Sequence, residues 1–231
     1  MENPTNGRDA VALTPADVEK NDLLKARMSL SHVINDSHPL SAQDYELIGR
    51  FVQTYCFADL ESRRVINHLT HIREGTPTEF ALKLNDKDAL DHLMACADCC
   101  TWNLDLAEGI RKAAEILTQH RRLRHMFAHW AGRRIPDHGA LIFFTSSLGK
   151  QKIPTDAVIF EENDAPNMQY GLMPIASVFE ELNKLEEHVK YLAAMAFQLE
   201  TRAPQIAEQF AQDVADGKLV LEPYTIAGRR A

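Results

Sequence analysis

The sequence predicts an all-α protein, an antiparallel bundle of four to five main helices that carries a small peripheral β-hairpin. Apolar residues recur at three- and four-residue steps through several long runs, as they do on the inward face of packed helices. The loops between those runs are short, which favours helices that reverse direction. Only the region from Gly132 to Pro174 combines glycine and proline breaks with β-prone stretches.

Taken in order, residues 1–13 lack periodicity and are expected to form a loose arm. Thr14 followed by Pro15 marks a helix start, because Thr accepts orphan amide hydrogen bonds and Pro suits the first helical position. Leu23, Leu24, Met28, Leu30, Val33 and Ile34 give this helix an apolar side, and it should end before Pro39. Ser41 with Asp44 resembles a capping pair, and helical spacing from Ile48 through Phe51, Tyr55, Val65 and Leu69 continues to Gly75. After the loop around Pro77, a third run reads as one helix through Leu90, Leu93, Ala97, Cys100, Leu104, Ile110, Ala114 and Leu117.

Gly132, Pro136 and Gly139 interrupt the helical pattern, and Ala140 to Ser147 and Ala157 to Phe160 are β-prone. With Gly149 to Pro154 between them they predict the hairpin, an insertion at about 140–161. Helix resumes near Pro174, with Val178, Leu182, Leu185, Leu192 and Leu199 on one face, and Pro204 is expected to end it. The predicted organisation is thus one helical domain over 14–204, then a short helix and tail over 205–231.

With 231 residues the chain is long enough to bury a core without disulfide or metal support. The longest strongly apolar run, Ala140 to Phe144, is far too short to span a bilayer, and no signal-like stretch opens the sequence. Three of the four cysteines, Cys96, Cys99 and Cys100, crowd one helical turn and cannot form a spread disulfide framework. A cytoplasmic setting away from the membrane is the expectation. A net charge of -8 argues against a protein that coats nucleic acid, which needs many Lys and Arg to neutralise phosphates. Positive charge is nonetheless concentrated: Arg111 to Arg134 holds seven Lys and Arg against one Glu, so an anion would be met there.

Within that stretch the third stripe, extended beyond Leu117 at roughly 100° per residue, turns Arg121, Arg124, His125 and Ala128 toward the core. Leu123, Phe127 and Trp130 fall on a face rotated by about 150°. Unpaired buried charge costs several kcal/mol. Three arrangements resolve the conflict: a bend near Gln119 to Arg122 that turns the charges into water, a solvated cleft, or a subunit interface holding an anion.

Arg124 to His129, RHMFAH, resembles the signature of the HEPN superfamily, an Arg and a His separated by four residues, with Ala commonly preceding the His. The surroundings are similar too, with Gly132 as the following turn, a short β insertion and a long closing helix, so the resemblance spans roughly Thr14 to Pro204. His125 stands where Asn is common, and Trp130 where Gly is frequent.

The resemblance implies a metal-independent endoribonuclease that leaves 2′,3′-cyclic phosphate ends and needs no cofactor. In that reading Arg124, His129 and His125 are catalytic, while Arg121, Arg133 and Arg134 bind RNA. It further implies a homodimer, a toxin or defence role, and a possible antitoxin or other regulatory partner. The chemistry suits the residue types. A neutral imidazole titrates near physiological pH and can take a hydroxyl proton. A guanidinium grips a phosphate as its charge grows. The segment has no cluster of carboxylates of the kind that holds divalent ions. The alternative is a catalytically inactive HEPN-like nucleotide- or RNA-binding or dimerisation module; a third reading, a purely structural helical subunit, requires Arg124 and His129 to be salt-bridged and inaccessible.

Other constellations carry less. His92, Cys96, Cys99 and Cys100 span about two turns of one helix, which cannot wrap four ligands around zinc, so they are read as packed thiols and no metal is assigned. His68 and His71 read as polar residues on an amphipathic helix. Asp59 and Glu61 precede them and stay outside the predicted site, although an acid on a neighbouring helix would orient Arg124 or His129.

Overall fold

The computed structural model describes residues 36–100, 102–145, 158–161 and 169–219. The predicted arm, nearly all of the helix beginning at Thr14, the Gly149 to Pro154 connection and the end of the tail lie outside these residues. Helix α1 spans Ala42–Glu74, α2 Asp86–Cys99, α3 Leu104–His129 and α4 Ile175–Ala215. Five strands, β1 His38–Pro39, β2 Ala131–Ile135, β3 Ala140–Thr145, β4 Val158–Glu161 and β5 Gln169–Pro174, form one antiparallel sheet in the order β1-β2-β3-β5-β4.

The predicted boundaries of α1 hold for stated physical reasons. Ser41 Oγ accepts from the Asp44 amide at 3.2 Å while the Ser41 amide donates back to Asp44 Oδ2 at 2.8 Å, a complete capping box. Gly75 ends the helix in the left-handed region at φ 73°, where a side chain would be strained, and its amide donates to the His71 carbonyl.

Three expectations about individual elements need correction. The run read as a single third helix is two, because the chain breaks after Cys99 and restarts at the N-cap Asn103, whose side chain accepts from the Leu106 amide. Pro204 does not end the last helix: α4 runs through it to Ala215. The neighbours of α4 override the local penalty, since Ala203 and Ala207 are both buried. The hairpin is a larger sheet, in which the two predicted strands do not pair with each other. Strand β5 lies between β3 and β4, and β2 flanks β3 on its other side.

The bundle is also not antiparallel throughout. Arg50 pairs with Glu186 and Arg64 with Glu200, the same offset twice, so α1 and α4 run in one direction. Arg63 reaches the Leu84 carbonyl and Arg73 reaches Cys99, so α2 runs with them. Helix α3 runs against α2, pairing Asp86 with Arg121 and Asp98 with Arg111. The connection from Gly75, through a 3-10 turn at Phe80–Lys83, carries the chain back along α1 and makes this possible.

Strand β3 reads ALIFF because Ala140, Leu141, Ile142 and Phe143 are all buried. Phe127 of α3 joins the helices to the sheet, with its ring 5.0 Å from Phe51 and 5.2 Å from Phe143. This explains the apparent conflict in α3. Its buried residues pass from Ile110, Ala114 and Leu117 to His120, Leu123, Met126 and Trp130. Each three-residue step moves the stripe back by about 60°, so the buried face rotates as the helix leaves α2 for α1 and the sheet. Arg121, Arg124 and His125 are consequently half-buried at the margin, Ala128 is exposed rather than inward, and His129 is exposed.

Candidate functional site

The rotation of the stripe leaves Arg124, Ala128, Arg121, His125 and His129 within an arc of roughly 140° on the last turns of α3. Three predicted catalytic residues and Arg121 thus share one surface. The His125 and His129 rings lie one turn apart with centroids 4.7 Å apart and planes at 50°.

Two other helices supply the surroundings. Asp86 opens α2 behind the N-cap Asn85, whose Oδ1 accepts from the Asp88 amide at 2.8 Å. Its Oδ2 stands 3.0 Å from Arg121 Nε. Arg121 Nε makes no aligned hydrogen bond, so the contact is one of charge. From α1 comes Tyr55, buried and kept protonated first by burial and then by Asp86 and Asp59. The Nε of Arg124 is buried without a hydrogen-bond partner, and no ion pair among the described residues uses this side chain.

Burial holds the His125 imidazole below its ordinary range, with the positive neighbours His129, Arg121 and Arg124 adding to the effect and Asp86 opposing it. Near neutral pH His125 is therefore an uncharged ring that can donate and accept hydrogen bonds. The whole surface combines fixed guanidinium charge with exposed imidazole, a set that can hold an anion and move a proton.

Arg63 fixes Asp86 in place from below. It is buried in α1, donates from Nε and Nη2 to Asp59 at 2.8 and 3.1 Å, and donates from Nη1 to the carbonyls of Ala81 and Leu84 at 2.7 and 2.8 Å. It thereby pins the turn from which α2 begins. Asp59 serves Arg63, and Glu61 pairs with Arg64 at 2.9 Å. The acid facing the arginine cluster is Asp86, which sequence reasoning missed; its one local sign was its place beside the capping Asn85.

Arg133 and Arg134 lie on β2 rather than on α3. Arg133 donates to the Ser37 carbonyl at 3.0 Å, and Arg134 Nη1 meets Asp44 Oδ1 at 2.6 Å. Burial works against ionisation of Asp44, but the Ser41 side chain and amide and Arg134 hold its carboxyl below the usual range. Asp44 is three turns, about 16 Å, along α1 from Tyr55, so Arg134 is engaged away from the Arg124 cluster.

The cysteines are packed as read: Cys96 and Cys100 are buried, and burial pushes the Cys100 thiol up to about 12. Cys99 Sγ receives Arg73 Nη1 at 3.7 Å. Among the described residues no group of three His, Cys, Asp or Glu side chains is arranged to hold a metal ion. No family model, no curated protein and no solved structure matches this chain.

Proposed function

We propose that this protein is a HEPN-like endoribonuclease that cleaves RNA without a metal. The observation that carries the reading is the exposed imidazole of His129 on the same helix end as Arg124, a guanidinium that no carboxylate engages among the described residues. His129 takes the proton of a ribose 2′-hydroxyl. The 2′-oxygen then bonds to phosphorus while the bond to the 5′-oxygen breaks, and the departing oxygen takes a proton from water. Arg124 holds the phosphoryl oxygens as their charge grows, and Arg121, whose Nε faces Asp86 without an aligned hydrogen bond, stands beside it. His125, uncharged and tilted against the His129 ring, orients the nucleotide.

Two copies meeting at this helix end would double the cluster around one RNA strand, and a homodimer belongs to the proposal. The test is cleavage of a fluorescently labelled RNA with and without EDTA. Cleavage that survives chelation, ends in a cyclic phosphate and falls about 10²- to 10⁴-fold in His129→Ala, with circular dichroism unchanged, is expected. A His129→Ala protein as fast as wild type sinks the mechanism. A wild-type protein that binds RNA but never cleaves it points instead to the inactive binding module.

A further inference from the structure

A cleft of about 600 Å³ opens between the last turns of α1, the return connection and the middle of α4. It faces about 170° around α1 from Tyr55, so it is separate from the arginine and histidine cluster. Its volume lies in the range of small-molecule sites, roughly 300–1,000 Å³.

The polar lining is short of free cations and rich in acceptors. Arg64, the one arginine in the wall, is held by Glu61 at 2.9 Å and by Glu200 at 2.8 Å, which leaves a carboxylate charge in excess. Glu79 on the facing connection is exposed and adds another. His68 and His71 stand one turn apart on the α1 wall. Burial keeps the His68 ring uncharged near neutral pH, with Glu200 opposing and Arg64 and His71 reinforcing the effect.

The proline inside α4 deprives one backbone carbonyl of its usual donor. Pro204 has no N–H to give the Glu200 carbonyl, the usual partner four residues back, and both residues line the cleft. Leu82, 51% exposed, supplies an apolar patch beside these groups. The connection is rigid here, since the Ala81 amide donates to Asn67 Oδ1 at 3.2 Å and the Phe80 amide to Thr78 Oγ1 at 3.2 Å.

We infer that this cleft binds a small organic cation of the polyamine class, with its ammonium groups on Glu79, His71 and the Glu200 carbonyl and its methylenes against Leu82. An anion would find no uncommitted cation in the wall. A linear amine suits a wall that combines several acceptors with an apolar patch.

Calorimetric titration of the full chain with spermidine near neutral pH tests this. Saturable one-to-one binding is expected, weakened about tenfold or more in Glu79→Gln/His71→Gln, as loss of hydrogen bonds to a charged ligand implies. Pro204→Ala returns an N–H to the Glu200 carbonyl without endangering the helix, and it should also weaken binding. Glu187→Gln, which alters an exposed carboxylate outside the cleft, should leave it unchanged. Absence of saturable heat, undiminished binding by both cleft variants, or equal competition from magnesium chloride at matched charge would overturn the assignment.

Discussion

His120 Nε2 lies 3.0 Å from Glu181 Oε2, and this contact ties α3 to α4 inside the core, one turn before Arg124. His120 is fully buried, its ring standing edge-on to Phe51 at 5.7 Å, and Lys184 meets the other oxygen of Glu181 at 2.6 Å. The hydrogen bond from His120, opposed by burial and helped by Lys184, holds the Glu181 carboxyl down at about 2, against 4.5 for the free group. Burial and His120 also keep His188, whose ring is 6.5 Å from that of His120, below its ordinary 6.5.

Both shifts make acid destabilising. For Glu181 the folded value is the lower one, so its contribution is complete above about 4.5 and is lost as pH falls toward 2. For His188, protonation favours the unfolded chain, so stability declines as pH drops below 6.5. Glu181→Gln should cost about 1–3 kcal/mol at neutral pH and flatten the acid limb below pH 4.5 in urea denaturation. An unchanged acid limb would show that the pair contributes nothing.

Arg63→Met removes the cation that binds Asp59 and two carbonyls of the return connection. The loss should be on the order of 3 kcal/mol, as for a broken buried ion pair. It should also loosen Asp86 from Arg121, which an altered His125 titration would report. A variant as stable as wild type would mean that the connection holds itself.

The imidazole of His125 should titrate below the ordinary 6.5 in NMR spectra of the RNA-free protein. Removing Arg124 as Arg124→Gln takes away a positive neighbour, so the midpoint should rise. Asp86→Asn removes the opposing negative charge, so it should fall. Movement in the same direction in both variants would contradict the electrostatic description.

Gly171 of β5 packs so closely on α3 that a Cβ there would lie 2.5 Å from Met126 Sδ. Both residues are buried, and Met126 cannot swing into solvent. Gly171→Ala should cost about 1–3 kcal/mol by overpacking. Thermal or urea unfolding measures it, and Gly171→Ala combined with Met126→Ala should recover part of the loss.

Local chemistry in the sequence determined the elements whose ends are local. The Ser41–Asp44 capping box and Gly75 set α1 because their hydrogen bonds span only three or four residues. The RHMFAH run likewise placed Arg124, His125 and His129 on one helix end, since helical geometry follows from spacing alone. Tertiary structure decided what those residues meet. Nothing within reach of Arg121 in sequence names Asp86 as its partner, and His120 reads as polar until α1 and α4 close around it. The stripe on α3 rotates because its neighbours change from α2 to α1 and the sheet, a change no single-helix periodicity encodes. Pro204 likewise has a strong local preference to end a helix, but burial of Ala203 and Ala207 outweighs it, as packing summed over many contacts outweighs one missing hydrogen bond.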